Sequence, residues 1–344
     1  MDRKQWARLL MQKLSNFNSP VVIVTDASAF DASITVHHLR SVHKVLRAAF
    51  KEPMRFLDDQ LKTKLRGMHG LKAKITGKRC SGDSDTSFGN SIIMASALRS
   101  IAIQIHMIKW DAMVNGDDGL LIFESSQCNI HTIQNVKNAG AGLGFNMKAH
   151  YSRDQFGQEL TDIEFCSGKI IFSHDRYRFV TQPSRSIAGW MTTDKNLAGR
   201  AGLRTVYATA RAHLALEPGV PILTASAERI VDLIEKETDI TKLEADLSLD
   251  TQTRYALRES NLRPTNVVEK ITNRARVDYA EAFNIEPNEQ KILEKIYARV
   301  LLKDVDPANA VLVRPDADVS NIADSDQVWN YPEAVCHVSF RALG

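Results

Sequence analysis

Val114-Asn115-Gly116-Asp117-Asp118-Gly119-Leu120-Leu121-Ile122-Phe123 is the segment around which the rest of the chain is organised. Apolar residues flank a Gly-Asp-Asp-Gly turn, and Asn-Gly and Asp-Gly pairs tolerate the positive φ of tight hairpins, so the spacing predicts a β-hairpin over 112–123. Two adjacent carboxylates at its tip repel each other unless a cation sits there, which points to a magnesium site. On turn statistics alone an ordinary solvated Asp-Asp-Gly turn is the commoner reading of the ten residues. The stretches on either side decide between the two.

Upstream, Val21-Val22-Ile23-Val24 is the short apolar run of a buried central strand, and it delivers Asp26 and, after a turn, Asp31. Asp26 leaves the strand where a side chain can face the hairpin tip. With Asp117 and Asp118 it could bind two divalent ions about 3.5–4 Å apart, the spacing used for in-line phosphoryl displacement. Taken singly, Asp26 also fits a turn and Asp31 a helix cap. Ser81-Gly82-x-x-x-Thr86-x-x-x-Asn90 opens a helix predicted over 86–106. Thr86 and Asn90 fall on one helix face, and Gly82 permits close approach of a ligand. Small polar groups beside Asp31 are what reading a ribose 2′-hydroxyl requires, although a Ser/Thr-rich helix start has the same composition. Downstream, Lys148 lies on an edge strand predicted over 145–151, either as a proton donor to departing pyrophosphate or as a solvated edge lysine. Phe165-Cys166-Ser167 opens a further hairpin that ends at Thr181.

Composition sets bounds on the rest. A chain of 344 residues, 44% hydrophobic and 25% charged, has room for two or three core-bearing units. A net charge of +3 identifies no partner, so nucleic-acid binding would need a local basic face. Cys80, Cys128, Cys166 and Cys336 are too widely spaced for a zinc site or a disulfide framework, and read as reduced thiols. No stretch reaches the roughly 18 consecutive apolar residues of a membrane span.

The order strand, helix, insert, helix, hairpin, helix, strand predicts an α+β fold, a split βαβ ferredoxin-like antiparallel sheet with helices on one face. Residues 1–19 read as an amphipathic helix. Residues 20–182 form the sheet domain, with a basic insert at about 51–80 carrying Lys62, Lys64, Arg66, Lys72, Lys74, Lys78 and Arg79. From 183 to 304 helix formers dominate, and 305–344 reads as a loop-like tail.

Jointly and in this order, the motifs resemble those of the RNA-dependent RNA polymerases of positive-strand RNA viruses, most nearly the tombusvirus- and nodavirus-like group. Asp26-x4-Asp31 looks like motif A, Ser81 to Asn90 like motif B and Gly116-Asp117-Asp118 like motif C. Lys148 falls where motif D carries its lysine, and Phe165-Cys166-Ser167 resembles the start of motif E. The resemblance implies a right-hand polymerase, with a palm at 20–182 and a helical thumb beyond. It implies Asp26, Asp117 and Asp118 as ligands of two Mg²⁺ or Mn²⁺ ions, and Lys148 as general acid. Asp31, Ser81, Gly82, Thr86 and Asn90 would place the incoming ribonucleotide.

Template and product RNA and ribonucleoside triphosphates are the implied partners. The RNA is expected against the basic insert and against Arg200, Arg204 and Arg211. Host cytoplasm, at membrane-associated replication complexes, is the implied location. Only about twenty-five residues precede motif A. The family's fingers are therefore expected to lie largely outside this chain, and a separate fingers-bearing or membrane-anchoring replication protein is a candidate partner. A reverse transcriptase-like polymerase, and a palm that is inactive without separate fingers, are the alternatives. Asp31 standing where reverse transcriptases place an aromatic gate argues against the first.

Overall fold

The computed structural model describes residues 3–50, 54–67, 69–80, 83, 85–152, 160–183, 186, 199–267 and 269–301. Ser81, Gly82 and the tail expected over 305–344 lie outside the described residues. The chain is of mixed α+β class with antiparallel sheets. It divides into two compact units, Leu9–Cys166 and Met1–Arg8 with Ser167–Gly344. Among the described residues no helix is long and apolar enough to cross a membrane.

Helix α1 (Arg3–Leu14) runs from one unit into the other, and Leu9–Cys166 then forms around β1 (Pro20–Ala27). A short α2 (Phe30–Ser33), α3 (Val36–Ala49) and α4 (Phe56–Gln60) follow, then a two-stranded ribbon of β2 (Lys62–Arg66) and β3 (Lys72–Thr76). After it come α5 (Thr86–Gln104), the hairpin β4 (Trp110–Asn115) and β5 (Asp118–Glu124), α6 (Thr132–Gly142) and β6 (Met147–Tyr151). The main sheet has the order β4-β5-β1-β6, with each neighbouring pair antiparallel.

Consecutive residues of β1 point to opposite faces of the sheet, so an unbroken apolar run requires both faces to be covered. Val21, Val22 and Ile23 are all buried, which explains the unbroken apolar run. Val21 and Ile23 share one core with Leu121 and Phe123 of β5, Leu39, Val42 and Leu46 of α3, Ile93, Met94, Leu98 and Ile101 of α5, and Val136 of α6. Alternation along the strands and helical spacing along the helices thus meet in one layer. Glu124 closes the sheet's far end by accepting the backbone N–H groups of Asn18 and Ser19 at 2.9 and 3.0 Å, and these bonds hold its carboxyl below the usual range. The two-residue strand β7 (Glu164–Phe165) lies at the end of this unit.

In the second unit a hairpin of β8 (Gly168–Ser173) and β9 (Arg176–Thr181) turns through His174, whose φ is 56°. It is followed by α7 (Arg200–Leu216), α8 (Leu223–Glu237), α9 (Lys242–Asp246), α10 (Thr251–Glu259), α11 (Asn273–Phe283) and α12 (Pro287–Tyr297). The side chains of Thr241, Asp250 and Thr272 cap α9, α10 and α11 by accepting N–H groups three residues on. The sequence placed this hairpin with the sheet, ending that domain at 182. Its packing differs, because Ile171 and Val180 share a core with Val206, Leu223, Ile230 and Tyr279 of the helices. Asp278 of α11 also accepts the Phe172 N–H at 2.8 Å.

Candidate functional site

The register of β1 against β5 places the acidic residues. Thr25 pairs with Gly119, and its hydroxyl donates to the Gly119 carbonyl at 2.9 Å. Carried one step further, the same register sets Asp26 beside Asp118. Asn115 pairs with Asp118, leaving Gly116 and Asp117 as a two-residue loop. Gly116 has a φ of 64°, the positive value a II′ turn needs at its first central position, where an L side chain would be strained. Its N–H donates to the Ser91 hydroxyl of α5 at 2.8 Å, which fixes the tip against that helix.

Asp117 is exposed at the tip, and Asp118 is partly buried. Burial first, then the charge of Asp117, push the Asp118 carboxyl above the ordinary range. The Cys166 thiol offsets this by donating a hydrogen bond, while Asp26 and Glu164 add to the rise. Asp118 therefore feels both of the other carboxylates named in the sequence reading. As hard oxygen donors with repelling charges they fit a divalent cation of the magnesium type. Among the described residues, however, no group of three His, Cys, Asp or Glu lies close enough to hold an ion. Lys148 stands opposite Asp26 in the β1–β6 register, with its Nζ 3.5 Å from the Asp26 carboxylate, and both side chains face solvent.

Asp31 and Asn90, 59 residues apart in sequence, are joined directly: the Asn90 amide donates to the Asp31 carboxylate at 2.7 Å. Asn90 is buried, and among the described residues its carbonyl oxygen has no hydrogen-bond partner. Thr86 acts locally. Its hydroxyl lies within hydrogen-bond reach of the Asp83 and Cys80 carbonyls, at 2.8 and 3.2 Å, and so braces the turn that leads into α5.

Sequence reasoning missed two features. The first is a buried polar chain beneath that turn. Arg79, with a fully buried side chain, donates to Asp85 at 2.8 Å. Gln60 donates to the same oxygen at 2.6 Å and accepts from His43 at 3.0 Å. The bare Cα of Gly89 makes room for the guanidinium, since a Cβ there would lie 2.3 Å from Arg79 Nη2. The second is Cys166, whose sulfur accepts from the Asn115 amide at 3.2 Å and so joins the surroundings of Asp118. Its φ of 52° is uncommon for a residue with a side chain.

The three arginines expected to line an RNA groove are engaged by other partners in the second unit. Arg200 pairs with Asp239 and Glu244, Arg204 with Glu244, and Arg211 is buried against Asp246, Asn266 and backbone carbonyls. A guanidinium already neutralised by carboxylates has little left for a phosphate, and helix-to-helix ion pairing is their observed role. In the insert, Arg79 is likewise internal and Lys78 donates to the Ala32 carbonyl.

Comparison with known proteins agrees with the motif reading. The family model described as viral RNA dependent RNA polymerase matches residues 1–304. The chain is 26% identical over 302 residues to a putative RNA-directed RNA polymerase of barley yellow dwarf virus (isolate PAV), covering 86% of this chain and 33% of that protein. It is 26% identical over 314 residues to the RNA-directed RNA polymerase of turnip crinkle virus, covering 89% of this chain and 39% of the relative. The oat chlorotic stunt virus RNA-directed RNA polymerase is 26% identical over 310 residues, at 86% and 40% coverage. The chain thus spans between about a third and two fifths of the length of these relatives.

Proposed function

Because the chain belongs to the viral RNA-dependent RNA polymerase family, we propose that it carries the palm and thumb of a positive-strand RNA virus polymerase. On this reading it adds NMP from NTP to an RNA 3′-hydroxyl on an RNA template. The sheet order β4-β5-β1-β6 supports a ferredoxin-like palm. The observation that carries the proposal is the β1–β5 register, which puts the Asp26 carboxylate beside the hairpin bearing Asp117 and Asp118.

Asp26, Asp117 and Asp118 would hold two Mg²⁺ or Mn²⁺ ions, which when bound lower the pKa of the attacking hydroxyl and neutralise charge on the triphosphate. Asp31 and Asn90 form one hydrogen-bonded unit that would read the ribose, and Ser81, Gly82 and Thr86 are proposed as further nucleotide-binding residues. The Asn90 carbonyl oxygen is an acceptor without a partner among the described residues, and a sugar hydroxyl is a donor. Lys148, exposed and cationic beside Asp26, would hand a proton to the departing pyrophosphate. Template and product RNA and ribonucleoside triphosphates are the proposed ligands. The proposal extends to membrane-associated replication complexes in the host cytoplasm, with a fingers-bearing or membrane-anchoring replication protein as partner.

Primer extension on an RNA template, with rNTPs and dNTPs compared, tests this. Wild-type chain should extend with rNTPs and Asp117→Ala should not. Equal extension by the two, or none by wild type with either metal even when the fingers-bearing protein is supplied, would contradict the proposal.

A further inference from the structure

The exposed β2–β3 ribbon carries a charge arrangement that its own stability does not explain. Its register pairs Lys62 with Thr76, Lys64 with Lys74 and Arg66 with Lys72. Side chains alternate between faces, so Lys62, Lys64, Arg66, Lys72 and Lys74 all project from one face. All five are exposed. Among the described residues none of them forms an ion pair, in contrast with the thumb arginines. Two of the cross-strand pairs set like charges directly opposite each other, which destabilises a hairpin. On the other face Thr63 and Ile75 are half buried while Leu65 and Ala73 are exposed, so the cationic face is the more outward of the two.

We propose that this face of the ribbon binds the phosphate backbone of RNA. Alternate residues stand about 6.8 Å apart along a strand, with the partner strand about 4.8 Å away. The result is a fixed lattice of five cations that a polyanion can neutralise by releasing its counterions. An anionic membrane fits less well. Basic membrane-binding surfaces set apolar anchors beside their cations, and here the exposed Leu65 and Leu71 have the opposite parity to the lysines. The identification of the polyanion as RNA rests on the polymerase reading, whereas the binding face rests on the register alone.

The full chain, titrated into fluorescein-labelled single-stranded RNA over a range of salt, tests the proposal by anisotropy. Two double variants lower the net charge by the same two units. Lys72→Gln with Lys74→Gln alters the cationic face, and Leu71→Glu with Ala73→Glu alters the other. The lysine variant should lose about tenfold in affinity at low salt, and its log–log salt slope should flatten by about 1.4, at 0.7 per phosphate contact on a single strand. Its thermal stability should equal or exceed wild type, because like-charge pairs are removed. The Leu71/Ala73 variant should bind RNA nearly as wild type does.

Equal losses in the two variants would reduce the effect to net charge and overturn the proposal, as would no loss in either. Phosphatidylserine vesicles that depend on Lys72 and Lys74 while RNA does not would also overturn it, by assigning the face to membranes. Nucleotide addition is assayed separately. A chain that loses RNA with the lysine variant yet fails to polymerise even with the fingers-bearing protein supplied counts against the polymerase reading and leaves the ribbon assignment standing.

Discussion

Gly89→Ala probes whether the buried Arg79–Asp85 pair holds the turn that leads into the proposed ribose-reading helix. On an ordinary helix face this change stabilises, by about 1 kcal/mol of helix propensity. Here the new Cβ would lie 2.3 Å from Arg79 Nη2, 3.1 Å from its Cζ and 3.3 Å from an Asp85 carboxylate oxygen. The guanidinium is the far end of a flexible side chain, but it is fully buried and bonded to Asp85 at 2.8 Å, so it moves only by disrupting that pair. Breaking a buried pair costs about 3–5 kcal/mol. Set against the propensity gain, the net loss should be about 2–4 kcal/mol. Urea denaturation followed by circular dichroism would report it as a lower midpoint at unchanged slope. In an Arg79→Lys background, which keeps the charge and removes Nη2, the same substitution should cost less than about 1 kcal/mol, a non-additivity that contacting residues produce. A neutral or stabilising Gly89→Ala in the wild-type background would refute the reasoning.

Three further outcomes follow from the site. Asp118 has its carboxyl raised in the folded chain, so its contribution to stability is fully present below the unfolded carboxylate pKa and is lost as pH rises through the raised value. Asp118→Asn should therefore stabilise the metal-free chain at neutral pH, with the gain vanishing below about pH 4, as thermal melts across pH would report. Asn90→Ala removes the amide bonded to Asp31 and the acceptor proposed for the sugar, and should lower rNTP over dNTP preference by about tenfold, one hydrogen bond's worth, with unchanged preference counting against it. Lys148→Ala breaks only a solvent-exposed pair, worth about 0–1 kcal/mol, so its melting temperature should barely move while single-turnover nucleotide addition slows.

What was legible in the sequence is what periodicity and turn chemistry encode. The apolar run from Val21 to Val24 and the Gly116-Asp117 turn correspond to a central strand and a hairpin. That Asp31 and Asn90 act together came from the family resemblance rather than from spacing, and the two are joined by a hydrogen bond across 59 residues. The ribbon was missed even though Lys-Thr-Lys-Leu-Arg and Lys-Ala-Lys-Ile-Thr alternate with period two, because neither segment has the apolar face that normally marks a strand. Arg79 was grouped with the surface lysines, since a sequence does not reveal which cation has a buried carboxylate waiting for it. The same blindness assigned Arg200, Arg204 and Arg211 to RNA, when their acidic partners lie 35 to 44 residues away. Cys166 was read only as part of a hairpin start, and its place beside Asp118 was missed because a left-handed backbone at a cysteine has no sequence signature.

Everything proposed for the site depends on Asp26, Asp117 and Asp118 together holding divalent metal. Electron paramagnetic resonance of free Mn²⁺, titrated with the chain and with Asp26→Asn and Asp118→Asn, tests it without requiring turnover. Wild type should deplete the free-ion signal, and each variant should lose most of that binding. Undiminished Mn²⁺ binding in both variants, or none in wild type even with nucleotide present, would contradict it.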